Sequence, residues 1–306
     1  MKTTKKFFAI LLSFIMAFSC TFICVSAKEE IKTDFYYEQG DYSIHYTVVP
    51  AQGDMKGRIL FIHGFFYSGS TWNGVAEIMS KNGYDCYLVD LPNYGYSTRE
   101  NAETQLIDRE DLLVSLMETV APISEWIVAG HSMGGGVALN IACEHPDLKS
   151  LMLYCPSETY MNGNTMMTKL ATSDFMGKLM DKMFKTVLSN DFIVKAAVYM
   201  VTKDIDYAKS YDASLLADPL MIEGTGSGML YSSVNAKNTD IEKISKIEIP
   251  TLLVWADNDN IISDSIKSNL STALSKAETA NVKGSHIVIE TDPEAVAEIS
   301  LAFLQK

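Results

Sequence analysis

The sequence predicts an α/β protein: a mostly parallel sheet covered by helices on both faces, interrupted late in its order by an inserted helical segment. Three observations carry this expectation. Short, wholly apolar runs alternate with amphipathic stretches from Arg58 to Tyr154, as they do when strands are buried on both sides. From Pro156 to about Lys237 the alternation stops, and apolar residues recur at helical spacing instead. It resumes at Pro250, so the insertion lies inside one domain. A chain of 306 residues, 47% hydrophobic and 21% charged, suits one large core with an insertion.

Residues 1–27 stand apart. Lys2, Lys5 and Lys6 precede the apolar stretch Phe7 to Val25, and Val25-Ser26-Ala27 presents modest side chains at its end. This reads as a secretion signal cleaved after Ala27; the alternative is an uncleaved membrane anchor, since the stretch nears the length of a spanning helix. A lipid-modified Cys20 is disfavoured by the bulky Phe18.

Tyr36–Tyr37 and Tyr42–Val49, split by Gln39-Gly40-Asp41, predict a β-hairpin that opens the domain. The alternating part then reads as strand Arg58–Ile62 and helix Trp72–Lys81, strand Asp85–Val89 and helix Thr104–Val120, strand Trp126–Ala129 and helix Gly134–Glu144, and strand Leu148–Tyr154. After the insertion come strand Thr251–Trp255, helix Ser265–Ser275, strand Glu278–Val282 and helix Pro293–Leu304. The domain therefore divides into a first core part, 28–155, a helical cap or lid, 156–237, and a second core part, 238–306. The cap holds nine of the 16 methionines, which reads either as plain helix packing or as an adaptable apolar surface. Glu223-Gly224-Thr225-Gly226-Ser227-Gly228 predicts a flexible hinge near the cap's end.

The formal charge is −13, and beyond Ala27 it is −16, because the first 27 residues carry three Lys and no acid. Nucleic acid is a poor partner for such a surface, and so is an anionic membrane. Cys86, Cys143 and Cys155 sit in apolar segments and read as small buried hydrophobes. The histidines have no ligand-like spacing, so no protein-built metal site is expected. The sequence does not set the oligomeric state.

Gly130-His131-Ser132-Met133-Gly134 joins a predicted strand to a predicted helix, the setting in which a sharp turn lifts a serine hydroxyl clear of a sheet. A serine hydroxyl needs a base, and the base an orienting acid. His286, in the polar loop Lys283-Gly284-Ser285-His286, suits the base; Asp257 and Asp259, both just after strand Thr251–Trp255, suit the acid. The backbone N–H of Met133 and of Phe65, in His63-Gly64-Phe65, are placed to bind an oxyanion.

These motifs, together with Val89-Asp90-Leu91-Pro92-Asn93-Tyr94-Gly95-Tyr96-Ser97 and Pro250-Thr251-Leu252-Leu253-Val254-Trp255-Ala256, resemble the α/β-hydrolase family, in its serine-nucleophile branch with a helical cap. The likeness spans nearly all of the chain beyond residue 27, with the motifs in the family's order, Ser before Asp before His. It implies Ser132 as nucleophile, His286 as base and Asp259, three residues after Ala256, as acid, with Asp257 a minor alternative. Ala256 stands where the family often has Gly, and Asn93 departs from the common Asp-x-Pro-Gly. Asp90 and His63 read as structural, and Glu290 and His45 as surface or packing residues.

The implied activity is hydrolysis of a carboxylic ester, by a carboxylesterase or small-lipid lipase, with a small-molecule ester or lipid carrying a hydrophobic part as substrate and no cofactor. Aminopeptidases and carbon–carbon bond hydrolases share the implied triad, and some members of the fold only bind ligands. Ser132 at the elbow disfavours the dehalogenases and epoxide hydrolases, which use Asp there.

Overall fold

The computed structural model describes residues 33–101, 103–157, 173–235, 237 and 240–306. The expected signal or anchor, residues 1–27, lies outside them, as do residues 158–172 of the expected cap.

The chain opens with strands β1 (Thr33–Gln39) and β2 (Tyr42–Val49), an antiparallel hairpin closed at Gly40-Asp41 with Gln39 opposite Tyr42. Five parallel partners follow the sequence pattern: β3 (Gly57–Ile62), β4 (Tyr84–Val89), β5 (Trp126–His131), β6 (Ser150–Tyr154) and β7 (Thr251–Ala256), with β8 (Glu278–Val282) at the edge. The eight strands lie in the order β1-β2-β4-β3-β5-β6-β7-β8. Among the described strands only the β1–β2 and β2–β4 pairs are antiparallel.

Alternate residues along the buried strands serve two cores. Leu60 and Ile62 join the side covered by α2 (Arg109–Val120), α3 (Met133–Glu144) and α10 (Asp264–Ala273). Ile59 and Phe61 join the side covered by α1 (Asn73–Lys81), α11 (Val288–Thr291) and α12 (Pro293–Leu304). Helix α2 starts five residues later than the sequence suggests. The segment before it is held on the hairpin instead, where Gln105 N–H donates to Asp41 (2.9 Å) and Ile107 N–H to the Tyr42 hydroxyl (3.3 Å).

Between β6 and β7 the described helices are α4 (Asp174–Leu188), α5 (Asp191–Thr202), α6 (Ile205–Ser210), α7 (Ser214–Leu220), α8 (Thr225–Asn235) and α9 (Ile241–Ile244). Helices α5 to α7 share a small core of their own around Val194, Val198 and Tyr211. The hinge expected at Glu223–Gly228 is not found: α8 begins at Thr225, and its glycines mark close approaches. A Cβ on Gly226 would lie 2.9 Å from Asp181 N, and one on Gly228 would lie 2.1 Å from Asn93 Oδ1. Asn93 has φ 74°, a conformation Asn tolerates better than most residues. Its side chain accepts from Glu100 N–H and donates to Glu100 Oε2, both at 2.6 Å. Arg99, from the same loop, donates to Thr225 Oγ1 (2.9 Å) and to Pro219 O (3.1 Å). The loop after β4 thereby holds the inserted helices against the sheet.

Candidate active site

The strand order reverses at β3, with β4 on one side and β5 on the other. In open α/β sheets ligands bind at such a point, beyond the carboxyl ends of the strands. Register does the local positioning. Ile62 of β3 is paired with Gly130 of β5, and His131 with Tyr154 of β6, so the residues leaving β3, β5 and β6 emerge side by side. On the far side, Ala256 of β7 is level with Val282 of β8. The loops leaving them are tied by Asp257 N–H to Val282 O (3.0 Å) and Asn258 N–H to Gly284 O (2.9 Å).

Ser132 stands between β5 and α3 at φ 52°, ψ −118°, a conformation that costs a non-glycine residue about 1–3 kcal/mol. The turn is possible because its neighbours lack side chains. A Cβ on Gly130 would lie 2.3 Å from Gly134 O, and one on Gly134 would lie 2.4 Å from Ile62 O. The bend aims the hydroxyl out of the sheet: Ser132 Oγ is 2.9 Å from His286 Nε2, and His286 Nδ1 is 2.9 Å from Asp259 Oδ2. Asp259 Oδ1 accepts from the N–H groups of Ile261 (2.8 Å) and Ile262 (3.1 Å).

Burial works against charge on Asp259, but the His286 bond and charge together with the two backbone N–H groups outweigh it, and the carboxyl is held down at about 2. It is therefore an acceptor near neutral pH. That fixes the proton on His286 Nδ1 and leaves Nε2 to accept from the Ser132 hydroxyl. Asp257, the other acid considered, is exposed, whereas Asp259 is buried.

Phe65 follows β3 on the wall beside Ser132, where a Cβ on Gly64 would already lie 3.2 Å from Ser132 Cβ. Met133 opens α3, and N–H groups in a helix's first turn have no partner within the helix. The two residues expected to flank an oxyanion thus border the hydroxyl.

Sequence reasoning gave no role to His131. Its Nε2 is 2.8 Å from His286 O, so a neutral His131 donates there and fixes the base's backbone. Burial and the charge of His286 push His131 down to about 3, which keeps it neutral. No sequence signal distinguishes this residue, because the contact spans 155 positions. Cys155 is buried as expected, and burial pushes its thiol up. Cys155, Asp259 and His286 offer donor atoms within 4.8 Å of one another; among the described residues they form the one such cluster, and the Asp259–His286 bond already engages two of its members.

Asp90 accepts from Gly69 N–H (2.7 Å), Tyr96 N–H (2.9 Å) and His45, whose Nδ1 lies 2.7 Å away. It locks the loops after β3 and β4, and His45 serves the same anchor. The His63 ring accepts at Nε2 from Leu91 N–H (3.1 Å). Of the two readings of Glu290, surface or packing, the structure favours packing, with the residue part-buried. Its Oε2 is buried without a hydrogen-bond partner, and burial raises the carboxyl to about 7, opposed only in part by the nearby hydroxyls of Tyr207 and Tyr211.

Ser132 and His286 open into a cavity of about 520 Å³. Its walls are Phe65, Phe66 and Ile287 from the core, with Met183, Phe184, Val187, Leu188, Val198, Val201, Leu216 and Leu220 from the inserted helices. Among its described lining residues there is no Asp, Glu, Lys or Arg.

The sheet, the elbow at Ser132 and the later-strand positions of Asp259 and His286 are those of an α/β hydrolase. The chain belongs to the family described as serine aminopeptidase, S33, whose model matches residues 53–283. It is 24% identical over 268 residues to an uncharacterized hydrolase, YugF, of Bacillus subtilis, covering 83% of this chain and 92% of that one. It is also 22% identical over 228 residues to a monoacylglycerol lipase of Mycolicibacterium smegmatis, covering 73% of this chain and 77% of that one. Among solved structures, the enol-lactonase of Burkholderia xenovorans LB400 superposes with a TM-score of 0.69 at 15% identity, over 89% of this chain and 100% of that one.

Proposed function

We propose that the chain hydrolyses uncharged carboxylic esters with an apolar acyl or alcohol part, through an acyl-enzyme on Ser132. The single observation that carries this reading is the Ser132 hydroxyl, 2.9 Å from His286 Nε2, at the floor of an apolar chamber. As Ser132 Oγ attacks the ester carbonyl, its proton passes to His286 Nε2, and Asp259 stabilises the imidazolium that forms. The N–H groups of Met133 and Phe65 take up the charge growing on the carbonyl oxygen. His286 returns the proton to the departing alcohol, and water repeats the sequence to free the acid. The helices within 156–237 act as the cap that selects the substrate. The lipase among the relatives supports an ester substrate.

The family description names an aminopeptidase. Such a substrate carries a free ammonium group, and the described cavity wall offers no carboxylate to receive it, which favours the ester. Turnover of p-nitrophenyl esters of graded acyl length, beside aminoacyl p-nitroanilides, separates the two readings. Faster turnover of medium-chain esters supports ester hydrolysis; turnover of the anilides alone would overturn it. Export belongs to the same proposal, with residues 1–27 removed after Ala27. Protein recovered from culture medium should begin at Lys28.

A further inference from the structure

The net charge of −13 conceals a local inversion on the cap. The exposed arc of α4 carries Lys178, Lys182 and Lys185, the last 3.8 Å from the exposed Glu223, on one side and Phe175, Leu179 and Met183 on the other. Its one acid with a described side chain, Asp181, turns away to α8, where it accepts from Gly226 N–H (2.7 Å) and the Ser227 hydroxyl (3.1 Å). Helix α5 continues the apolar surface with Phe192, Ile193, Ala196 and Met200, and ends at the exposed Lys203. Phe175 is 74% exposed, Phe192 79% and Met200 64%. Buried Gly177 and Phe184 on α4, and Val194 and Val198 on α5, already face inward. The outer apolar residues are therefore surplus to the fold.

This surface runs into the candidate active site, because Met183 is exposed and also lines the cavity. Lysines flanking an apolar stripe are the composition with which helices lie on anionic lipid surfaces. Each basic side chain near such a surface strengthens association about fivefold. Among the described residues no helix is long and apolar enough to cross a membrane.

We infer that the outer face of α4 and α5 docks on an anionic lipid surface and presents the mouth of the Ser132 cavity to it. The docking stands on its own; only the idea that it delivers ester substrates rests on the proposed function.

The test places a probe at the face itself. Trp72 and Trp126 are fully buried and Trp255 partly so, so the added indole of an F192W variant of the full chain reports the surface above a low background. Vesicles are made of brominated phosphatidylcholine, with or without an equal share of phosphatidylglycerol. The indole is expected to shift to the blue and be quenched on the anionic vesicles. The quenching should weaken sharply on neutral vesicles or in high salt. Adding K178Q and K182Q to F192W should raise the lipid concentration needed by about fivefold for each lysine, with turnover of soluble p-nitrophenyl acetate unchanged. An indole that stays unquenched would overturn the inference. Blue emission without vesicles would also overturn it: if lost on dilution it assigns the face to a second copy, and if constant, to another part of this chain. Because quenching needs no turnover, failure of the ester reading would leave this test readable.

Discussion

Gly134 offers a quantitative test of the elbow. A Cβ at this position would lie 2.4 Å from Ile62 O and 2.5 Å from His63 O, where ordinary contact begins at 3.4 Å. Both oxygens belong to the backbone of β3 and its exit, and neither can rotate aside. In Gly134→Ala the start of α3 must therefore retreat by about 1 Å, carrying Ser132 and Met133 with it. The Ser132–His286 bond, 2.9 Å at present, would stretch beyond hydrogen-bonding range. A misplacement of about 1 Å in a reacting group costs on the order of 100-fold in rate, and overpacking costs about 1–3 kcal/mol of stability. Steady-state kinetics on p-nitrophenyl butyrate should show kcat down about 100-fold with KM little changed, because the cap helices that line the chamber are untouched. The urea midpoint should fall with it. A variant with wild-type kcat would refute the claim that the β3–α3 contact sets the nucleophile.

Asp259→Asn keeps the shape but removes the anionic acceptor of the His286 proton, and should lower kcat by on the order of 10³ to 10⁴. Asp257→Asn, on an exposed side chain, should leave kcat near wild type; the opposite ranking would move the acid to Asp257. For Glu290, the folded chain raises the carboxyl from 4.5 to about 7. Its contribution is thus fully present below pH 4.5 and is lost as pH rises through 7. Glu290→Gln should therefore gain Tm over wild type at pH 8 and not at pH 4; a gain independent of pH would show that the carboxyl does not titrate as described.

The parallel strands were legible because runs such as Ile59 to Ile62 are apolar on both faces, a pattern that no solvent-facing strand needs. The elbow was legible for a similar reason: Gly130 and Gly134 sit where strand and helix crowd each other. The acid was less so. Asp257 and Asp259 both follow β7, and residue reading alone left them open; what separates them in space is the turn that spends Asp257 and Asn258 on bonds to the β8 loop. Glycine was misread at 224–228, since the same residue that loosens a linker also lets two helices touch, and composition does not say which. His131 and Glu290 were opaque because their environments are made by residues far away in sequence. Net charge was opaque in another way: a sum over the chain cannot show that Asp181 and the lysines of α4 face different directions.

The central claim is that Ser132 is the nucleophile, activated by His286. The most direct measurement is covalent labelling of the purified chain with a fluorophosphonate, followed by mass spectrometry of the peptide that carries the adduct. The account predicts a single adduct on Ser132, absent in Ser132→Ala and slowed by orders of magnitude in His286→Ala. Undiminished labelling of Ser132→Ala, or an adduct mapped to another residue, would contradict it.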